Sequence, residues 1–195
     1  MATQPKPNPI TADQYETFAG APGYRDELIN GRIVMTPDAK PLHQHIQKNI
    51  QRLLEAACQD SGYIVNGDSN IKLTHIDMPS PDVFVVTASG WLHAMRTGQY
   101  LNEPPLLAVE ILSPSQYSTS PLPTPAGPEM VEKIHVYLAA HVEAIWIVDP
   151  KNRVVTFYEN GKPYREIGEL ALPSPLKGSI QVSAMFDGLP KNSFA

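Results

Sequence analysis

A chain of 195 residues, 42% hydrophobic and 18% charged, is the size of one domain and has enough apolar side chain for a core, which excludes two full domains and a disordered chain. Fifteen Lys and Arg against twenty Asp and Glu give a net charge of -5. That balance excludes a protein that coats nucleic acid by bulk charge but leaves room for a local basic groove. Cys58 is the one cysteine, so an internal disulfide and a cysteine-based zinc site are ruled out and a reducing, cytoplasmic setting is expected. The longest apolar run, Ala144 to Val148, is far short of the ~20 residues that span a bilayer. No membrane partner is expected.

Residues 1–22 hold Pro5, Pro7, Pro9 and Pro22 without apolar periodicity and are expected to form a flexible arm. A single domain is expected over 23–190, with a tail at 191–195. Asn30-Gly31 between Glu27-Leu28-Ile29 and Arg32-Ile33-Val34-Met35 predicts a β-hairpin, because both central residues tolerate positive φ. Ile46, Ile50, Leu53, Leu54 and Ala57 repeat at helical spacing and predict an amphipathic helix from His43 to Cys58. Strands are predicted over Ile71 to Leu73, Val83 to Thr87, Leu106 to Leu112 and Ile145 to Val148. A second helix is predicted from Glu129 to Ala140, and a second hairpin about Asn160-Gly161. The stretch from Ser113 to Pro128 holds five prolines, the last being Pro128, among Ser and Thr, so 114–128 is expected to be a loop. Strands thus dominate, with two main helices.

The informative oddity is Glu110 within Leu106-Leu107-Ala108-Val109-Glu110-Ile111-Leu112. An ionised carboxylate in an apolar strand is costly unless a cation or donors meet it. A strand with one wet face accounts for it as well as a buried site does. Asp82, after Ser80-Pro81, opens a neighbouring apolar strand; alone, it reads as a turn residue. Glu27 in the first hairpin is a third acid, which alone reads as a solvated side chain. If the three converge at one end of a sheet they suit Mg²⁺, a hard cation that takes oxygen ligands and keeps waters for a substrate phosphate. Glu129, Lys133 and Tyr137 are four apart on one helix edge. Lys133 is then either half of a surface ion pair or an ammonium reaching the acids from the flank, where it orients water and stabilises charge on a phosphate. His43 and Gln44 open the first helix, where free backbone donors favour a phosphate.

Tyr24 to Ile33, His43-Gln44, Pro81-Asp82-Val83, Pro105 to Ser115, Lys133 with Tyr137, and Ala144 to Pro150 together resemble the Uma-type putative restriction endonucleases of the PD-(D/E)XK nuclease superfamily. The resemblance covers Tyr24 to Leu189. It implies a mixed α/β (α+β) fold, a restriction endonuclease-like mixed sheet flanked by helices. It also implies Glu27, Asp82 and Glu110 as the acidic, metal-holding set, Mg²⁺ as cofactor with Mn²⁺ as substitute, and DNA as substrate. The superfamily's lysine position is here Leu112, two residues after Glu110; in this family the lysine comes from the following helix, here Lys133.

Two function classes follow. One is a metal-dependent endonuclease in which Asp82 and Glu110 hold metal, Glu27 completes the site and Lys133 positions the attacking water. The other is an inactive nuclease-fold domain that binds protein or nucleic acid, with Glu27 and Lys133 as an internal ion pair. A homodimer that shares a basic face is a third arrangement.

Overall fold

The computed structural model describes residues 8–113, 116, 127–159 and 161–190. The expected 114–128 loop falls almost wholly outside them, as do residues 1–7 of the arm and the tail at 191–195. The chain opens with a short helix α1 (Ala12–Tyr15) and the hairpin β1 (Tyr24–Ile29) and β2 (Arg32–Pro37). Asn30 and Gly31 adopt φ of 49° and 68°, the conformation a two-residue hairpin turn demands. Residues 10–15, expected as arm, are instead packed on this hairpin. Ala12 and Tyr15 are buried against Leu28 and Met78, the Ile10 amide donates to the Gly31 carbonyl, and the Tyr15 phenol donates to Asp26. Two apolar anchors and a buried hydroxyl hold a segment that its prolines alone mark as loose.

Helix α2 (Pro41–Cys58) follows, then β3 (Tyr63–Asn66), β4 (Val83–Thr87), α3 (Ala88–Thr97), β5 (Leu107–Ile111), α4 (Pro128–Ala139) and β6 (Ala144–Asp149). The chain continues through β7 (Val154–Glu159), β8 (Lys162–Glu166), β9 (Glu169–Ala171) and β10 (Ser179–Gln181) to a 3-10 turn over Val182–Phe186. Pro41 and Pro128 each stand in the first turn of their helix, where a missing N–H costs nothing. Strands β3 to β8 form one six-stranded sheet in sequence order. Every neighbouring pair is antiparallel except β5 and β6, which run parallel. A parallel pair needs a crossover, usually helical, and α4 lies on it.

Both faces of the sheet are covered, which is why β5 reads as an almost continuous apolar run. Leu107, Val109 and Ile111 pack with Ile46, Ile50 and Leu54 of α2 and with Met185 and Phe186 of the 3-10 turn. Ala108 and Leu112 face Met130, Ile134 and Tyr137 of α4.

The strand expected over Ile71 to Leu73 is corrected. Its backbone donors are taken by loops, Ile71 to the Pro79 carbonyl, Lys72 to Leu101 and Leu73 to Asp77, leaving one isolated bridge between Ile71 and Leu101. Helix α3 is a third long helix beyond the expected two. It is capped by the Thr87 side chain, which accepts from the Gly90 amide, and ends at Gly98 with φ 68°. No described helix is long and apolar enough to cross a membrane.

Candidate active site

The buried stripe of α4 runs through Met130, Lys133, Ile134 and Tyr137, the i, i+3, i+4, i+7 spacing of a core-facing helix. Lys133 therefore occupies a core slot, and it is 7% exposed. A buried ammonium must be paired. Lys133 Nζ lies 2.6 Å from Glu27 Oε1 and 2.8 Å from Glu110 Oε1, and it donates to the Ser80 carbonyl at 3.2 Å. Of the two readings of the Glu129–Lys133–Tyr137 edge, the surface ion pair is excluded. Glu110 has the same strand parity as Ala108 and Leu112 and so faces α4, where the Tyr137 phenol donates to its Oε1 at 2.6 Å. Glu27 reaches the cluster from β1 and also accepts from the Ser80 amide. The hairpin is fixed to α4 one residue from Lys133, because Asn30 and Arg32 both bond to Glu132.

Asp82 stands one residue before β4. Val83 pairs with Val109 across the ladder, so Asp82 and Glu110 are the next neighbours on adjacent strands. Asp82 Oδ2 accepts from the Ile111 amide at 2.7 Å and lies 3.1 Å from His43 Nε2, while Oδ1 lies 3.1 Å from Arg25 Nη2. His43 Nε2 is also 3.1 Å from the Ile111 carbonyl. Gln47, one turn beyond His43 on α2, donates to the Asp82 carbonyl at 2.8 Å and to Asp68 Oδ2 at 2.7 Å.

These surroundings push the two strand acids apart. Burial alone would raise the Asp82 carboxyl, but the hydrogen bond and charge of His43, with Arg25 and Lys133, hold it down at about 2. Glu110 goes the other way. Burial pushes it up to about 7, and the charges of Asp82 and Glu27 add to burial while Lys133 opposes it. Burial alone would lower Lys133, yet Glu110, Glu27 and Asp82 raise it above its ordinary value and keep it an ammonium. Acids with split proton affinities in one enclosed site are the pattern that acid–base chemistry uses.

The structure thus brings Glu27, Asp82, Glu110, Lys133 and His43 into one neighbourhood. His43 is buried and its Nε2 faces Asp82, whereas Gln44 is exposed beside it. Arg25 and Gln47 had no assigned part in the sequence reading. Gln47 carried a usable signal, since four residues from His43 is one helical turn. Arg25, in a hairpin beside Asp26 and Glu27, reads as a solvated charge.

Among the described residues, no group of three His, Cys, Asp or Glu side chains is arranged to hold a metal ion. The donors present still suit Mg²⁺. Asp82 and Glu110 offer hard oxygens from adjacent strands, and Mg²⁺ is usually held by one or two carboxylates plus water and substrate phosphate rather than by an all-protein cage.

A family model, Uma2, described as "putative restriction endonuclease", matches residues 12–184. The fold is similar to that in a crystal structure of "a putative nuclease belonging to DUF820" from Anabaena variabilis ATCC 29413. That match has TM-score 0.70 and 20% identity and covers 91% of this chain and 98% of that one. A cryo-EM structure of a DrdV–DNA complex aligns over 69% of this chain and 9% of its own, at 13% identity and TM-score 0.36, a distance at which no shared fold follows. No curated protein matches. With the family match running from α1 into the 3-10 turn, the chain belongs to the Uma2 family of restriction endonuclease-type proteins.

Proposed function

We propose that the protein is a Mg²⁺-dependent endonuclease that hydrolyses DNA phosphodiester bonds. One observation carries this reading: Glu27, Asp82, Glu110 and Lys133 come from separate parts of the chain and meet in one buried cluster whose members interact electrostatically. Asp82 and Glu110 would hold the ion, with Mn²⁺ as a substitute. The ion supplies a more acidic bound water and positive charge for the phosphate. Lys133 orients the attacking water and offsets developing negative charge. Tyr137 fixes the Glu110 carboxylate, and His43 with the Ile111 amide fixes that of Asp82. His43 Nε2 is turned to Asp82, so of the two residues expected at the substrate, exposed Gln44 is the proposed phosphate contact.

The test is nicking of supercoiled and linear DNA with Mg²⁺ or Mn²⁺ over a range of salt. Glu110→Gln and Asp82→Asn are each expected to lose on the order of 10²-fold or more in rate. Intact DNA under all conditions, or an active Glu110→Gln variant, overturns the reading.

A second reading has its own support, since each acid of the cluster already meets a cationic side chain, as in a domain that keeps the fold only to bind a partner. Calorimetry separates the two. Mn²⁺ binding that Asp82→Asn abolishes supports the enzyme, and no binding supports the binding module.

A further inference from the structure

Arg25 spans two carboxylates of unequal exposure. Its Nη2 lies 3.1 Å from Asp82 Oδ1 and its Nη1 bonds to Asp68 Oδ1, with side-chain exposures of 5% for Asp82 and 49% for Asp68. The guanidinium is therefore not a two-bond fork on one acid but a bridge from the buried site to the surface. Its Nε is buried without a hydrogen-bond partner.

The outer carboxylate is built into place. Asp68 has φ 52°, its amide donates to the Pro81 carbonyl at 3.2 Å, and Gln47 bonds it to the Asp82 backbone. Gly67 lies so close that a Cβ there would sit 2.3 Å from the Asp82 carbonyl oxygen. The Asp68 loop and Asp82 thus form one braced unit with Arg25 across it.

A buried carboxylate cannot be left bare, because an unpaired charge in a dry site is expensive. A divalent ion and a guanidinium on the same carboxylate repel each other, and Arg25 already holds a second acid. We propose that Arg25 is the resident counter-cation of Asp82, that it yields this carboxylate to a divalent ion, and that Asp68 retains it when it does. The proposal rests on the metal reading above. In it Arg25 and Asp68 are positioning residues, and Asp68 favours metal binding by acting through Arg25.

The experiment is a double-mutant cycle read by Mn²⁺ titration calorimetry on the full chain, with Arg25→Gln, Asp68→Asn and the double variant. Arg25→Gln is expected to tighten Mn²⁺ binding and Asp68→Asn to weaken it. Asp68→Asn is expected to have no effect once Arg25 is gone, which makes a coupling of about fivefold or more in affinity. Arg25→Lys keeps the charge but cannot span both acids, so in its background Asp68→Asn is likewise expected to be silent, which covers a poorly folded Arg25→Gln. Equal weakening by Asp68→Asn with and without Arg25 shows a plain field effect and overturns the proposal, leaving the metal site standing. A wild-type chain that binds no Mn²⁺ overturns the metal reading and the proposal together.

Discussion

The Tyr137 phenol donates to the same Glu110 oxygen that Lys133 approaches, at 2.6 Å and 2.8 Å respectively. One turn of α4 thus delivers a neutral donor and a cation to one carboxylate oxygen. Tyr137→Phe removes the neutral donor with little change of shape. A buried hydrogen bond to a charged group is worth about 1.5–3 kcal/mol, and a loss of that size is expected in urea denaturation above pH 7, where Glu110 is ionised. An unchanged midpoint would mean that the contact contributes nothing.

Lys133→Met leaves Glu27 and Glu110 buried side by side without their shared ammonium. Breaking one partner out of a buried ion cluster costs about 3–5 kcal/mol, so a fall in the urea midpoint of that order is expected. At alkaline pH, where the Glu110 carboxyl that burial raises to about 7 is ionised, adding Glu110→Gln should recover part of it, because one uncompensated charge is then gone. If the double variant is no more stable than Lys133→Met, the cluster is not held by charge.

Glu110 sets a pH dependence of definite sign. Its carboxyl is raised from 4.5 to about 7 by burial first, then by the acids around it. Between those pH values the folded state holds a proton that the unfolded state has released, so stability falls as pH rises through the window. Asp82 acts in reverse. Its carboxyl is lowered from 3.8 to about 2 despite burial, by His43 above all. Its contribution is present above pH 3.8 and is lost as pH falls toward 2. Glu110→Gln should flatten the stability profile between pH 4.5 and about 7, and a variant that keeps the wild-type slope there would contradict this assignment.

Gly67→Ala is expected to be worse than Gly161→Ala. A Cβ at Gly67 would meet backbone, the Asp82 carbonyl oxygen at 2.3 Å, and would lie 3.0 Å from Gln51 Nε2. Forcing extra volume into a packed site costs about 1–3 kcal/mol, and here the displaced group carries a site carboxylate. Gly161 has φ +74° with nothing within 4 Å of a Cβ, so only the backbone objects, at about 1 kcal/mol. Thermal unfolding of both variants gives the ranking.

What the amino-acid sequence alone reveals divides by the range of the signal. Glu110 broke an apolar run and Asp82 opened the next strand, so both stood out locally, as did the Asn30-Gly31 turn and the helix through Ile46 and Ile50. Arg25 did not, because its worth lies in Asp68 and Asp82, far along the chain. Lys133 was ambiguous for a similar reason. Its spacing placed it with both Glu129 and Tyr137, and only packing of α4 on β5 decides which edge is dry. Ile71 to Leu73 has strand-like residues, but nearby carbonyls took its donors, an instance of context overriding propensity. Helix α3 carried a cap at Thr87 and a stop at Gly98, signals present but too weak in apolar periodicity to stand out.

The bond between Glu132 and the first hairpin sets how the charged pocket comes apart. Helix α4 acts as a keystone: lift it, and Lys133 and Tyr137 leave Glu110 in the same movement, exposing two acids to water at once. Opening of this helix and hydration of the acids are therefore one event. Amide exchange along 129–139 reports on both, at a free energy governed by the surface contact of Arg32 as well as by the core.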